Sequence, residues 1–403
     1  MSLNSVTIVG GGMAGFTVAK ELRSRGFEGA LTLVDPAGLP YDRPPLSKDY
    51  LLGKRGAEDI RFSPAAWFEE HQVDVVTGTA TALRPDEGVV VLADGTELVA
   101  DRIVLATGGH ARRLAIPGGD LESVLELRTL QDADRLRSLL TPGTRLAIVG
   151  AGLIGAEVAS SALAFGAEVV LIDPVDPPLV PAVGPELARR LHDMHAEHGI
   201  KVVTGIPTAI TADDAGHHIE MGEHGTIDAD VVLVGIGIVP ETALAESAGL
   251  DIDNGTLVDE SQRTSHPRVY AAGDSARTRL ADGTLLRRAE HWEHAMFAGE
   301  IAAAALLDQD LPVHGASWFW SDRHGVHVEG VGSMAAEGTT IIREADGNPA
   351  IALRVDAEGY LVGCAAIDGG LAVRAARRII DRRILVDRDK LADPSIDLKK
   401  LAR

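Results

Sequence analysis

Gly10, Gly12, Gly15 and Asp35 are the first residues whose types and spacing can do chemistry. The glycines stand in a G-x-G-x-x-G pattern between an apolar run, Val6 to Val9, and a helical stretch. Gly10 permits a tight turn, Gly12 lets a pyrophosphate approach the backbone, and Gly15 lets the helix pack close to the strand. The free N–H groups of the helix N-terminus then face the phosphates. Asp35 ends a second apolar run 20 residues after Gly15, where a carboxylate can accept hydrogen bonds from ribose hydroxyls. The same set recurs as Gly150, Gly152 and Gly155, with Asp173 18 residues further on. This is an internal repeat. Two dinucleotide cradles imply two dinucleotides, and electron transfer between them is their natural joint use.

The elements that position these residues repeat as well. Each glycine motif reads strand–helix–strand. Asp101 to Gly109 and Asp230 to Gly237 each read as a late strand of their own sheet, arriving beside a cofactor crevice. The first unit is expected to end near Arg113 and the second near Pro240. Between them, Leu130, Ala133, Leu136 and Leu140 predict a helix over 128–140. Arg268 to Ala276 predicts a strand that delivers Gly273 and Asp274 at its tip, where Asp274 can bond a polyol hydroxyl. His291 to Leu307 predicts a strong helix. Its positive end would favour negative charge on a group bound beside it. Val326, Val328 and Val331, then Ala350 to Val355 and Tyr360 to Ala366, predict antiparallel strands, followed by an arginine-studded helix over 370–384.

Composition narrows the function classes. The 403 residues carry a net charge of -21, which argues against nucleic acid as a bulk partner. Arg374 to Arg403 is nevertheless +5, leaving -26 for the rest. The single cysteine, Cys364, excludes a disulfide framework, a cysteine-rich metal site and a redox-active pair. No uninterrupted apolar stretch of 18 residues occurs, so no membrane span is expected. The first strand begins within a few residues of the start, which leaves no room for a signal peptide, and a cytoplasmic location is expected. His192, His195 and His198 have helical spacing. With no acid or cysteine completing a ligand set, a solvated helix face is expected rather than a metal site.

Several strings carry a family resemblance: PYDRPPLSKDYL from Pro40, LATGG, LRTLQDAD, YAAGD, and WFWSD from Trp318 to Asp322. With the two glycine motifs, the chain resembles along essentially its whole length the FAD- and NAD(H)-dependent ferredoxin reductases of bacterial oxygenase systems. The resemblance implies an α/β fold with two Rossmann-like dinucleotide-binding domains of the glutathione-reductase kind plus a small α+β C-terminal domain. The implied FAD-binding domain is discontinuous, over 1–113 and 241–319. The NAD(H)-binding domain covers 114–240 and the C-terminal domain 320–403.

The resemblance also implies site residues. Gly10, Gly12, Ala14, Gly15, Asp35, Arg43, Lys48, Ala80, Thr107, Gly108, Arg128, Gly273, Asp274 and Trp292 fall at FAD-binding positions. Arg43 and Lys48 would lie along the FAD, where a cation stabilises negative charge arriving with a hydride. Gly150, Gly152, Ile154, Gly155, Glu157, Asp173 and Gly237 match NAD-contacting positions, with Glu157 near the nicotinamide carboxamide. Trp320 matches a tryptophan at the flavin edge. Lys48, Glu157 and Trp320 are thus the residues expected closest to the reaction.

The implied activity uses FAD and NADH. NADH, its nicotinamide stacked on the flavin, passes a hydride to it, and electrons leave singly to a [2Fe–2S] ferredoxin that feeds an oxygenase. An acidic ferredoxin requires a local basic face, for which Arg287, Arg288, Arg323 and the Arg374–Arg383 cluster are the candidates. Three departures stand out. No arginine follows Asp173 closely, Glu241 follows Pro240 where relatives have Asn, and Arg323 follows WSD where relatives often have Gln. A rubredoxin reductase or NADH oxidase is the nearer alternative, and a redox-dependent binding flavoprotein the more distant one.

Overall fold

The computed structural model describes residues 3–402, and Met1, Ser2 and Arg403, at the ends of the expected spans 1–113 and 320–403, lie outside the described residues. The chain forms two compact units. The first comprises Met1–Pro44, Arg55–His110 and Ile238–His314, and the second Pro45–Lys54, Ala111–Gly237 and Gly315–Arg403.

In chain order, the first repeat supplies strand β1 (Ser5–Val9), helix α1 (Met13–Ser24), β2 (Ala30–Asp35), β3 (Val73–Thr77) and β4 (Arg102–Leu105). Helix α2 (Leu130–Leu139) precedes the second repeat, β5 (Arg145–Val149), α3 (Leu153–Leu163) and β6 (Glu168–Asp173). Helix α4 (Pro185–Glu197), β7 (Lys201–Thr204) and β8 (Val231–Val234) complete it. The chain then makes β9 (Val269–Ala271) and α5 (Trp292–Leu306). It closes with β10 (Trp318–Arg323), β11 (Val326–Gly332), β12 (Thr339–Ala345), β13 (Asn348–Val355), β14 (Leu361–Ile367) and α6 (Gly370–Asp381).

The sheet of the first unit runs β9-β4-β1-β2-β3, with every pairing parallel. In the second unit β7-β6-β5-β8 has the same sense and ends on the short strand Val124–Leu125. The expected late strands, β4 and β8, sit directly beside the first strand of their own sheets. Strands buried on both faces read as unbroken apolar runs, as in AIV of β5 and VVLV of β8. Each repeat also carries a three-stranded antiparallel insert that the sequence reading did not separate out. One is Ala80–Arg84, Val89–Leu92 and Glu97–Val99. The other is Ala209–Asp213, Gly216–Glu220 and Thr226–Ala229.

The other elements have local causes too. Thr129 and Asp132 form a reciprocal capping box that starts α2. The His291 ring nitrogen accepts from the His294 N–H and starts α5. Small residues let α1 and α5 cross closely, since a Cβ on Gly299 would stand 2.7 Å from the Ala14 carbonyl oxygen. The C-terminal sheet is antiparallel, in the order β10-β11-β14-β13-β12. It contains the expected strands and adds two, β10 and β12. Its one face packs on α6 and its other on α4, through Leu187, Leu191, Val328 and Ala365.

Close helix–strand contact is enforced twice. A Cβ on Gly15 would lie 1.9 Å from the Gly10 carbonyl oxygen, and a Cβ on Gly155 1.9 Å from that of Gly150. Neither neighbour is a side chain that can swing aside. Gly152 differs, with nothing within 4 Å of its Cβ position. Gly155→Ala should therefore destabilise the protein by roughly 3 kcal/mol, and Gly152→Ala, a helix N-cap change, by about 1 kcal/mol or less. Urea unfolding midpoints of the two variants check this ordering.

Candidate functional site: two dinucleotide cradles and a buried carboxylate

The two cradles are built alike. Asp35 Oδ2 accepts from the Gly11 N–H at 2.6 Å, and Asp173 Oδ2 accepts from the Ala151 N–H at 2.7 Å. The other oxygens accept from the Ala37 N–H at 2.8 Å and the Val175 N–H at 2.9 Å. Each acid is thereby fixed at the end of its strand, beside its glycine turn. Gly10 and Gly150 both take φ of +108°, which favours glycine. Ile154, in the first turn of α3, is 41% exposed, unusual for a large apolar residue at a helix start.

The first cradle fits a dinucleotide anion. The Nη1 of Arg43 lies 2.8 Å from the position a Cβ on Gly12 would take, so a guanidinium stands over the glycine turn. Its Nε is buried and makes no hydrogen bond among the described residues. An orphaned buried cationic donor over a phosphate-type turn matches the charge of the pyrophosphate in FAD. Gly273 takes φ of +78°, and a Cβ there would stand 2.8 Å from the Ala14 Cβ. The tip of β9, with Asp274 next in the chain, is thus pressed against the start of α1. Trp292 donates its Nε1–H to Asp42 at 2.9 Å, which fixes the indole plane. Thr107 Oγ1 donates to the Glu241 carbonyl, and the Glu241 N–H donates to the Gly108 carbonyl. Glu241 Oε1 also accepts from the Ala243 N–H at 3.2 Å, giving this departure a local structural use. Ala80 opens the first strand of the antiparallel insert.

Lys48 and Arg128 belong to the second unit, where the Arg128 N–H donates to Asp132 at 3.0 Å. Gly237 takes φ of +102°, and its carbonyl accepts from the Arg112 N–H. Lys48, Glu157 and Trp320 come together. Lys48 Nζ is 3.4 Å from Glu157 Oε1, 3.1 Å from Asp322 Oδ2 and 5.7 Å from the centre of the Trp320 ring. Trp320 stacks on Trp318, with ring centres 4.8 Å apart.

Glu157 is the hub of this group and is buried. Its Oε2 accepts from Ser47 Oγ at 2.5 Å. Its Oε1 accepts from Ser321 Oγ at 2.6 Å and the Asp322 N–H at 3.3 Å. Burial opposes the charge on Asp322, but the His327 hydrogen bond and Lys48 outweigh it and hold this carboxyl below its usual range. Ser47, Ser321 and Asp322 received no role from the sequence. All three lie inside the quoted strings PYDRPPLSK and WFWSD, so the signal was present in the motif but not assigned residue by residue.

Three expectations need correction. Arg323 is 3% exposed, so it offers no partner surface. As the last residue of β10 its side chain turns inward, where Nη2 donates to Ser321 Oγ at 2.9 Å. Burial pushes Arg323 down to about 10, against the pull of Glu157 and Asp322, which still leaves it charged at neutral pH. The Arg288 side chain is only 4% exposed and is held by Glu290 and the carbonyls of Asn254 and Asp274. Arg287, Arg374, Arg378, Arg382 and Arg383 remain exposed.

The histidines of α4 do not form the expected solvated face. His198 is exposed, but His192 and His195 are buried, because α4 lies against the C-terminal sheet. His195 Nδ1 meets His324 Nε2 at 2.8 Å, and the His198 ring stacks on His324. Among the described residues no group of three or more His, Cys, Asp or Glu is arranged to hold a metal ion. Cys364 is buried in β14, and burial pushes its thiol up to about 12. No described helix is long and apolar enough to cross a membrane.

A chain with two such cradles and no cysteine pair has the layout of a two-dinucleotide oxidoreductase. Comparison with known proteins agrees. The family model described as pyridine nucleotide-disulphide oxidoreductase matches residues 4–299, and the one described as reductase C-terminal matches 318–402. The chain is 33% identical over 399 residues to rhodocoxin reductase of Rhodococcus erythropolis, covering 98% of this chain and 93% of that one. It is 36% identical over 411 residues to the ferredoxin--NAD(+) reductase component of the anthranilate 1,2-dioxygenase system of Burkholderia cepacia, covering 99% of each. Putidaredoxin reductase, solved in a covalent complex with putidaredoxin, superimposes with a TM-score of 0.91 at 31% identity, covering 99% of this chain and 98% of that one. The chain belongs to the pyridine nucleotide-disulphide oxidoreductases and, among them, to the ferredoxin--NAD(+) reductases of oxygenase systems.

The contact between buried His195 and half-buried His324 makes stability depend on pH. Burial pushes His195 down to about 3 and His324 to about 4. Above about pH 7 both are neutral whether the chain is folded or unfolded. Below about 6.5 the unfolded chain takes up protons that the folded chain refuses, so stability is lost as pH falls toward 4. His324→Gln removes one of these groups. The drop in thermal midpoint between pH 7.5 and 5.0 should be smaller in the variant than in the wild type, and equal drops would refute the assignment.

Proposed function

We propose that this protein carries electrons from NADH through FAD to a [2Fe–2S] ferredoxin that feeds an oxygenase, in the cytoplasm. The observation that carries the reading is the pair of cradles, each with its aspartate hydrogen-bonded to its own glycine turn. We assign FAD to the first, with an FAD-binding domain over 1–113 and 241–319. NAD(H) goes to the second, over 114–240, and 320–403 is a C-terminal domain. FAD, when bound, supplies a group that takes two electrons at once and gives them up singly.

The chain's own residues bind, orient and tune. Arg43 meets the pyrophosphate, and the N-terminus of α1 faces it with free N–H groups. Asp35 accepts from the ribose, Asp274 from the polyol chain. On the second cradle, Gly152 leaves room for the pyrophosphate, and the exposed Ile154 is the apolar surface a nucleotide covers. Lys48 places a cation, held by Glu157 and Asp322, where negative charge develops. No side chain needs to gain or lose a proton. The exposed arginines of α6 and the turn after it supply a basic face for an acidic carrier, against a chain of net charge -21.

Acceptor choice separates this reading from an oxidase or a rubredoxin reductase. Turnover with a [2Fe–2S] ferredoxin should exceed turnover with rubredoxin or dioxygen, and a faster rate with either of the latter would overturn it. The nucleotide preference tests the second cradle. Asp173 repels a 2′-phosphate, so Asp173→Ala should narrow the ratio of kcat/KM for NADH over NADPH by roughly tenfold. An unchanged ratio would remove Asp173 from the site.

A further inference from the structure

Arg323 has no part in the scheme above, yet it is a charged side chain sealed inside the protein. Its Nη2 donates to Ser321 Oγ at 2.9 Å, and Ser321 Oγ donates to Glu157 Oε1 at 2.6 Å. A guanidinium has no acceptor, and a hydroxyl has one proton. With Arg323 donating to it, the Ser321 hydroxyl must give that proton to Glu157. The carboxylate can only accept, so this direction holds in any case; Arg323 fills the hydroxyl's own acceptor site and adds positive charge beside the carboxylate. Its own pairing is incomplete, since Nε is buried without a hydrogen bond among the described residues. A buried arginine left partly unpaired is costly to keep for packing alone.

Glu157 lies in the second turn of α3, the helix capped by Gly152. Its other oxygen is taken by Ser47, on the segment that also carries Lys48. One carboxylate therefore joins the glycine-motif helix, the Ser47–Lys48 segment and the end of β10. We infer that Arg323 is a positioning residue for NAD(H) binding: through Ser321 it holds Glu157, and with it the first turns of α3, in the geometry that receives the nucleotide. This rests on the assignment of NAD(H) to the second cradle. A glutamine at this position could donate to Ser321 but would bring no charge, so Arg323 fixes Glu157 more firmly than a glutamine would.

The test is calorimetric titration of the oxidised holoenzyme with NAD+, with thermal midpoints measured alongside. Arg323→Met, which removes both bond and charge, should raise Kd about tenfold, and Arg323→Gln, which keeps a donor, about threefold. Arg323→Lys should stay within about twofold of the wild type. Because the effect runs through the hydroxyl, Ser321→Ala should also raise Kd, and adding Arg323→Met to it should change Kd little further. If Arg323→Met does not fold, the Gln and Lys variants carry the same comparison. A lower thermal midpoint with unchanged Kd would overturn the inference, as would additive effects of the Ser321 and Arg323 substitutions. Failure of the wild type to bind NAD+ would instead defeat the assignment of the second cradle.

Discussion

Everything at the two cradles depends on a contact that only glycine permits. Where Gly15 crosses Gly10, and Gly155 crosses Gly150, a side chain would have to occupy the space of a carbonyl oxygen. That contact draws the start of each helix against the end of its strand. Only then do the helix N–H groups and the aspartate of the next strand converge on one place. The aspartate completes the arrangement by accepting from the glycine turn itself, in both copies. Turn, helix terminus and carboxylate form a single construction, used twice.

The second organising interaction is electrostatic and buried. Glu157 collects two hydroxyls, a backbone N–H and Lys48, with Arg323 behind one of the hydroxyls. Desolvating a carboxylate is offset only when its lone pairs are filled and opposite charge is near. Here both conditions hold. The partners come from stretches of chain more than 100 residues apart, so this one side chain ties elements that share no local sequence. Asp322 and His327 extend the group toward the surface, where Trp318 and Trp320 stack.

Much of this was legible in the sequence because it is local. The glycine spacing, the terminal aspartates, the late strands and the helix at Trp292 are all short-range patterns, and the structure contains each of them. The antiparallel inserts were harder to see, since strands such as Glu97–Val99 are too short for a period to emerge. The histidines of α4 were misread for a different reason. Their face of the helix looks polar in isolation, and its burial is set by a sheet that begins more than 100 residues later. Arg323 follows the same logic. Strand alternation puts it on the side of Ser321, inward, whereas its residue type alone suggests a surface. Composition predicts exposure well for isolated charges and poorly for those with a distant partner.

The activity of this family requires that electrons pass from NADH to a bound flavin. Anaerobic titration of the purified protein with NADH, followed by visible absorption, tests this most directly. The purified protein should be yellow, and its flavin absorption should be lost in proportion to added NADH, completely at about one NADH per flavin. A colourless protein that cannot be reconstituted with FAD, or bound flavin that stays oxidised under excess NADH, would contradict it.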